Sequence, residues 1–231
     1  ENSSQQLLES IKINSENSGD TRYDRVMAHA QIASVPHSIT EFCSDNQILI
    51  AGSTWPEGEE MLAQSRKDWP EDLKVIIAPH DISESHISSI VELFPDAVRF
   101  SKMNKPHSQI LILDNIGLLS SVYKVADVAY VGGAFGTGLH NILEASAFGI
   151  PVIYGHKTYR HPEADDLEAA GFATKLQKPE GFSDALNSWL EKDKIKLQQA
   201  IQEHTKTKTG ATIKVVAAIH DLMLITPDKG A

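Results

Sequence analysis

The sequence predicts an α/β fold: one parallel, Rossmann-like sheet with helices on both faces. Three observations predict it. Short apolar runs rich in β-branched residues (Ile48-Leu49-Ile50, Val75-Ile76-Ile77, Ile110-Leu111-Ile112) recur through the middle of the chain and read as buried strands. Helical patterns separate them, and strands alternating with helices require right-handed crossovers over a parallel sheet. The stretch from Asp127 to Gly155 contains the whole unit at once: a strand, Val128 to Val131, closed by Gly132-Gly133, then a glycine loop, a helix and a further strand, Pro151 to Tyr154.

Composition sets the frame. With 231 residues, 41% hydrophobic and 23% charged, the chain is long enough to bury a full core as one large α/β domain or one and a half small ones. A net charge of -10 argues against a nucleic-acid binder, which presents a basic face, and against a free-standing binder of anionic membranes. The single cysteine, Cys43, excludes an intramolecular disulfide and a cysteine-based metal cluster and agrees with a reducing compartment. Ten histidines include no pair at the spacing of a zinc helix; no metal and no cofactor is expected. No run approaches the roughly 18 to 20 apolar residues of a membrane span, and no signal peptide is visible. The chain opens at Glu1 inside a helical pattern (Leu7, Leu8, Ile11), which reads as the tail of a preceding unit and a linker.

In order, Gly19 to Val26 is dense in charge: Asp20, Arg22, Asp24 and Arg25 alternate. They can pair locally at an interdomain joint or lie solvated, and periodicity favours the solvated surface. Helices are expected over Asp24 to Ala33 and Pro36 to Phe42, then a strand over Gln47 to Ala51. Directly after that strand, Ser53 and Thr54 stand where open α/β sheets bind ligands; either hydroxyl can donate to a phosphate or cap the helix that follows through Met61 and Leu62. Glu57 or Glu60 can pair with a cation or hold a loop, and they read at least equally well as first-turn acids favoured by the helix dipole.

The second strand, Lys74 to Ala78, ends at Pro79-His80-Asp81, where His80 can hydrogen-bond an anion or cap the helix expected over Ile82 to Phe94. Ala97 to Phe100 and Gln109 to Leu113 are further strands. The turn Asp114-Asn115-Ile116-Gly117, one strand away from the glycine loop in this reading, is placed to hold a base through backbone groups or is a plain strand-to-helix turn. Leu118 to Ala126 is a helix.

In the central unit, Leu139, Ile142 and Leu143 share an apolar helical face, with His140, Asn141 and Glu144 opposite. A glycine loop at a helix N-terminus bares amides where the dipole favours an anion. The spacing Gly132-Gly133-Ala134-Phe135-Gly136-Thr137-Gly138 is neither the dinucleotide fingerprint nor the P-loop, so a sugar nucleotide fits better, with the polar triad taking hydroxyls beyond the phosphate. A tight turn beside a solvated glutamate is the plainer alternative. The segment Gly155 to Pro162 is basic and can meet an anion or form an ordinary loop. Glu163 to Ala170, Phe182 to Leu190, the stretch after Glu191 and Gly210 to Leu222 are helical, Ala173 to Leu176 is an edge strand, and Pro227 to Ala231 a frayed end. The strand ends carrying Ser53, His80, Asn115 and the Gly132 loop are expected to converge on one edge.

Three segments together resemble a known family: Gly19 to Val26, Ala51 to Glu60, and Val131-Gly132-Gly133 through His140-Asn141-Ile142-Leu143-Glu144 to Phe148-Gly149-Ile150-Pro151. The chain is similar to the carboxyl-terminal, donor-binding half of the 3-deoxy-D-manno-octulosonic acid (Kdo) transferases, lipopolysaccharide glycosyltransferases of the GT-B type. The resemblance implies one half of a GT-B fold and inverting, metal-independent transfer of Kdo from CMP-Kdo to a lipid A precursor. Carried over by position, Gly132, Gly133, Gly136 and Gly138 cradle the donor, Asn141 and Glu144 hold its ribose or phosphate, Ser53 lies near the phosphate, and Asn115, Ile116 and Gly117 hold the cytosine.

The family commonly has Pro-Arg-His where this chain has Pro79-His80, which passes the grip on the donor anion to His80 or a distant cation. Leu118 replaces a common acidic residue. The resemblance further implies that residues 1–26 are the linker and tail of a missing amino-terminal acceptor domain and 27–231 the donor domain. The general base, the acceptor site and the membrane anchor belong to that missing part, so the full-length enzyme works at the cytoplasmic face of the inner membrane while this piece is soluble and inactive alone. The partners expected are CMP-Kdo or CMP and, through the missing domain, the lipid A precursor. The rival readings are a GT-B donor domain for a UDP- or ADP-sugar and a non-catalytic α/β interaction module.

Overall fold

Strand residues alternate between two apolar layers, as a sheet covered on both faces requires. The computed structural model describes residues 2–103 and 108–225. Its strands are β1 (Gln47–Thr54), β2 (Leu73–Pro79), β3 (Val98–Arg99), β4 (Ile110–Ile112), β5 (Val128–Val131), β6 (Val152–Gly155) and β7 (Ala173–Leu176). They form one sheet in the order β3-β4-β2-β1-β5-β6-β7, with every pairing parallel. On β1, Ile48 and Ile50 enter one core layer, Leu49 and Ala51 the other; on β5, Ala129 and Val131 oppose Val128 and Tyr130 in the same way. Each large apolar side chain so buried contributes about 1.5–3 kcal/mol. The α/β class, the parallel sheet and the edge position of β7 follow the sequence reading.

The helices are α1 (Asn2–Ser10), α2 (Thr21–Ile32), α3 (His37–Cys43), α4 (Pro56–Ser65), α5 (Glu84–Leu93), α6 (Leu119–Val122), α7 (Leu143–Ala147), α8 (Pro162–Ala169), α9 (Phe182–Leu190), α10 (Lys194–Thr207) and α11 (Ala211–Ile225). Helix α2 runs across position 26, and its Tyr23 and Val26 are buried with Leu143 and Ala147 of α7. Cys43 is buried without a disulfide, and burial first, then the Asp127 charge, push its thiol up to about 12. The tail from Pro227 lies outside the described residues.

Four expectations are corrected. The helix expected from Leu139 starts only at Leu143. Gly133 (φ +89) and Gly138 (φ +122) turn the chain in left-handed conformations no helix contains, and the Asn141 side chain accepts from the Leu143 amide at 3.2 Å, starting the helix there. The helix after Leu118 tightens into a 3₁₀ turn at Tyr123–Val125.

The charges of Gly19 to Val26 are not merely solvated. Asp20 caps α2 through the Arg22 amide at 2.8 Å, Arg22 grips Glu163, and Asp24 accepts from the Gly210 and Thr212 amides at 2.6 and 2.8 Å, capping α11 from another helix. Lastly, the Asp114 turn is not one strand from the glycine loop, since β2 and β1 stand between β4 and β5.

Candidate functional site

Because all seven strands run the same way, their carboxyl ends share one edge. The tips of β4, β2, β1 and β5 lie along it in that order, which brings Asn115, His80, Ser53 and the Gly132 loop to one side of the molecule.

At the β1 tip the pairing register shifts between Gly52 and Thr54, and Ser53 takes a left-handed φ of +50. Its carbonyl fills the space that a side chain on Gly132 would need, so the ends of β1 and β5 touch through backbone. Thr54 is fully buried and its hydroxyl donates to Glu59 Oε1 at 2.7 Å; His86 Nε2 meets the same oxygen at 3.0 Å. Thr54 therefore anchors α4 from inside. Neither hydroxyl caps that helix, whose N-cap residue is Trp55. Glu57 and Glu60 are exposed.

Pro79 is buried in β2 opposite Thr54. His80 is exposed, and its ring stacks over both Trp55 and His140, with centroids 4.7 and 4.6 Å away. Trp55 Nε1–H donates to His140 Nε2 at 2.8 Å. That bond requires a neutral imidazole with its proton on Nδ1. Burial first, then the neighbouring His80 and His161, hold the His140 pKa below its ordinary value.

The glycine loop folds onto itself. The amides of Gly136 and Gly138 both donate to the Gly133 carbonyl at 2.9 Å, and that of His140 to Gly132 at 3.3 Å. Lys157 braces it from outside, donating to the Gly136 carbonyl at 2.9 Å. The expected row of bare amides at a helix N-terminus is thus corrected: three are already engaged, and the helix begins beyond them.

In the Asp114 turn, the Asp114 carboxylate is held by Arg99 Nε at 2.8 Å and by the Ser101 amide at 2.9 Å. Asn115 Oδ1 is enclosed without a partner. Ile116 is 85% exposed, and Gly117 turns at φ +96.

Asn141 and Glu144 are half-buried and joined, Nδ2 to Oε1 at 3.0 Å. Glu144 opens into a cavity of about 170 Å³ that it lines with Arg25, Val26, His29 and Ser120. Buried Tyr123 lies close by: burial first, and the Glu144 charge second, raise its hydroxyl pKa. A larger cavity of about 630 Å³, lined among others by Tyr23, Glu163, Asp166 and Lys208, contains none of the expected site residues. Among the described residues no group of three His, Cys, Asp or Glu is placed to hold a metal ion, and no helix is long and apolar enough to cross a membrane.

The structure thus gathers two clusters along the edge, Trp55–His80–His140 and Asn141–Glu144 with Arg25. Sequence reasoning missed Trp55, Arg25, His29 and Ser120. Trp55 was signalled by its place directly after a strand; His29 and Ser120 carried no local signal.

No protein-family model matches the chain. It is 31% identical over 136 residues to the 3-deoxy-D-manno-octulosonic acid transferase of Aquifex aeolicus, covering 56% of this chain and 38% of the relative. It is 35% identical over 120 residues to that of Bordetella pertussis, covering 50% and 28%. The chain therefore spans well under half the length of these relatives. Among solved structures, the C-terminal CMP-Kdo binding domain of WaaA from Acinetobacter baumannii superposes with a TM-score of 0.60 at 19% identity, over 80% of this chain and 98% of that one. Anabaena HepE in complex with UDP-glucose gives 0.57 at 12%, over 83% and 54%. Over about half of its length the chain is similar to the 3-deoxy-D-manno-octulosonic acid transferases, and its seven-stranded parallel fold is like that of the GT-B glycosyltransferase halves on which it superposes.

Proposed function

We propose that this chain is the donor-binding domain of a glycosyltransferase that transfers Kdo from CMP-Kdo to a lipid A precursor, with inversion at the anomeric carbon and without a bound metal. The observation that carries the reading is the joined, half-buried pair Asn141–Glu144, whose glutamate lines a cavity. A carboxylate so placed accepts hydrogen bonds from sugar hydroxyls. The relatives named as Kdo transferases support the choice of sugar, and the neighbour described as a CMP-Kdo binding domain supports the choice of nucleotide.

In the transfer, the bond between the anomeric carbon and the phosphate oxygen breaks, and negative charge grows on the departing CMP. Donors arranged before the reaction stabilise that charge. The acceptor hydroxyl needs a general base, which we place, with the acceptor site and membrane anchor, in an amino-terminal half reached through residues 1–26. In that arrangement the whole enzyme works at the cytoplasmic face of the inner membrane, and residues 27–231 bind CMP without turnover.

Titration calorimetry with CMP, UDP and ADP tests the reading. Saturable heat with CMP, lost in Glu144→Gln and not competed by UDP or ADP, is expected. Preference for UDP or ADP would assign a different donor, and no heat with any nucleotide would leave an interaction module.

A further inference from the structure

Of the four charges packed into Asp20 to Arg25, three have structural work. Asp20 caps α2, Arg22 clamps Glu163, and Asp24 caps α11. Arg25, exposed on α2, makes no hydrogen bond or ion pair among the described residues. Of the cations that follow the strand tips, Arg99 is engaged by Asp114 and Glu84 and Lys157 by the Gly136 carbonyl, while Arg160, beyond the β6 tip, lies over the Tyr159 ring. Yet Arg25 lines the same cavity as Glu144, together with His29 and Ser120.

We propose that Arg25 is the anion-gripping residue of the donor site, taking a phosphate or carboxylate oxygen of the sugar nucleotide while Glu144 takes hydroxyls; this rests on the donor-binding reading above. The cavity, about 170 Å³, is smaller than the roughly 300 Å³ from which sites for whole small molecules begin, so it receives one group of the ligand. A guanidinium presents a planar fork that matches two oxygens of such a group. Arg25 is held in position because its helix is fastened on both sides of it, by Tyr23 and Val26 in the core and by Asp24 on α11. Glu144 across the cavity repels an anion from its own side, and this directs the anionic group toward Arg25. In the self-bonded glycine loop the Gly136, Gly138 and His140 amides are already engaged.

The test compares binding of CMP and of cytidine, which lacks the phosphate, to wild type, Arg25→Ala and Arg25→Lys. Removing a charge-assisted contact to the anion is expected to weaken CMP by about 10- to 100-fold while leaving cytidine unchanged. Arg25→Lys is expected to fall between, and raising salt to narrow the gap between wild type and Arg25→Ala. Because Arg25 is exposed, its variants are expected to melt with wild type, which separates binding from folding. If wild type binds CMP and Arg25→Ala binds it equally well, the assignment of Arg25 fails while the donor-binding reading stands. If wild type binds neither CMP nor cytidine, the donor-binding reading fails and the assignment falls with it.

Discussion

The guanidinium of Arg22 holds the carboxylate of Glu163 through two parallel hydrogen bonds, Nη1 to Oε1 at 2.8 Å and Nη2 to Oε2 at 2.9 Å, between residues 141 positions apart. It ties the start of α2 to the start of α8. The Glu163 side chain is only 1% exposed, whereas that of Arg22 keeps 36% and is partly screened.

Removing Arg22 strands a buried carboxylate, with only His161 Nδ1 left at 3.1 Å among the described residues. Arg22→Ala is expected to cost about 2–3 kcal/mol and lower the melting midpoint by about 5–10 °C. A scan in which the variant melts with wild type would show that the clamp is not stabilising.

Asp24→Ala removes the acceptor for the Gly210 and Thr212 amides. Loss of such a cap costs about 1 kcal/mol. The measurable signature is local: hydrogen exchange is expected to speed up at the start of α11 while β1 and β5 keep their protection. Uniform loss across the sheet would contradict a purely capping role.

The bond from Trp55 to His140 Nε2 exists only while that imidazole is neutral. The folded-state pKa lies below 6.5, so on acidification the unfolded chain takes up the proton first. The stability from the neutral ring is therefore complete above about pH 6.5 and declines as pH falls toward the folded value. Denaturant midpoints measured from pH 7.5 to 5.5 are expected to fall, and to fall less in His140→Gln. Equal slopes in both proteins would rule out His140 as the source.

Gly132→Ala places a methyl group against the Ser53 carbonyl, which is backbone and cannot swing aside. Gly138→Ala meets open space and incurs only the strain of φ +122, about 1–3 kcal/mol. Gly138→Ala is expected to fold with a lowered midpoint, and Gly132→Ala to lose soluble yield. Equal yield and equal midpoints would mean that the β1 and β5 tips separate more easily than their contact suggests.

Much of this arrangement was legible in the residues. The runs at Ile48, Val75, Ile110 and Val128 became strands because each is short, apolar on both faces and followed by turn residues. The convergence of Ser53, His80, Asn115 and Gly132 on one edge followed from parallel pairing alone. The helix at Leu139 was misplaced because its apolar spacing is genuine: Leu139, Ile142 and Leu143 are all buried. Periodicity records which side chains face inward, and a loop tied down by Gly133 and Asn141 can bury the same three residues without helical dihedrals.

From the sequence alone came the order of strands and helices along the chain, the two-faced sheet and the edge that the strand tips share, because these depend on periods of two and 3.6 residues and on glycine placement, all local. Only the tertiary structure decided which charges meet. Asp24 finds its partners 186 and 188 positions away, Thr54 turns inward to Glu59, and Arg25 comes to line one cavity with Glu144, since partners are selected by proximity in space, which local pattern does not encode.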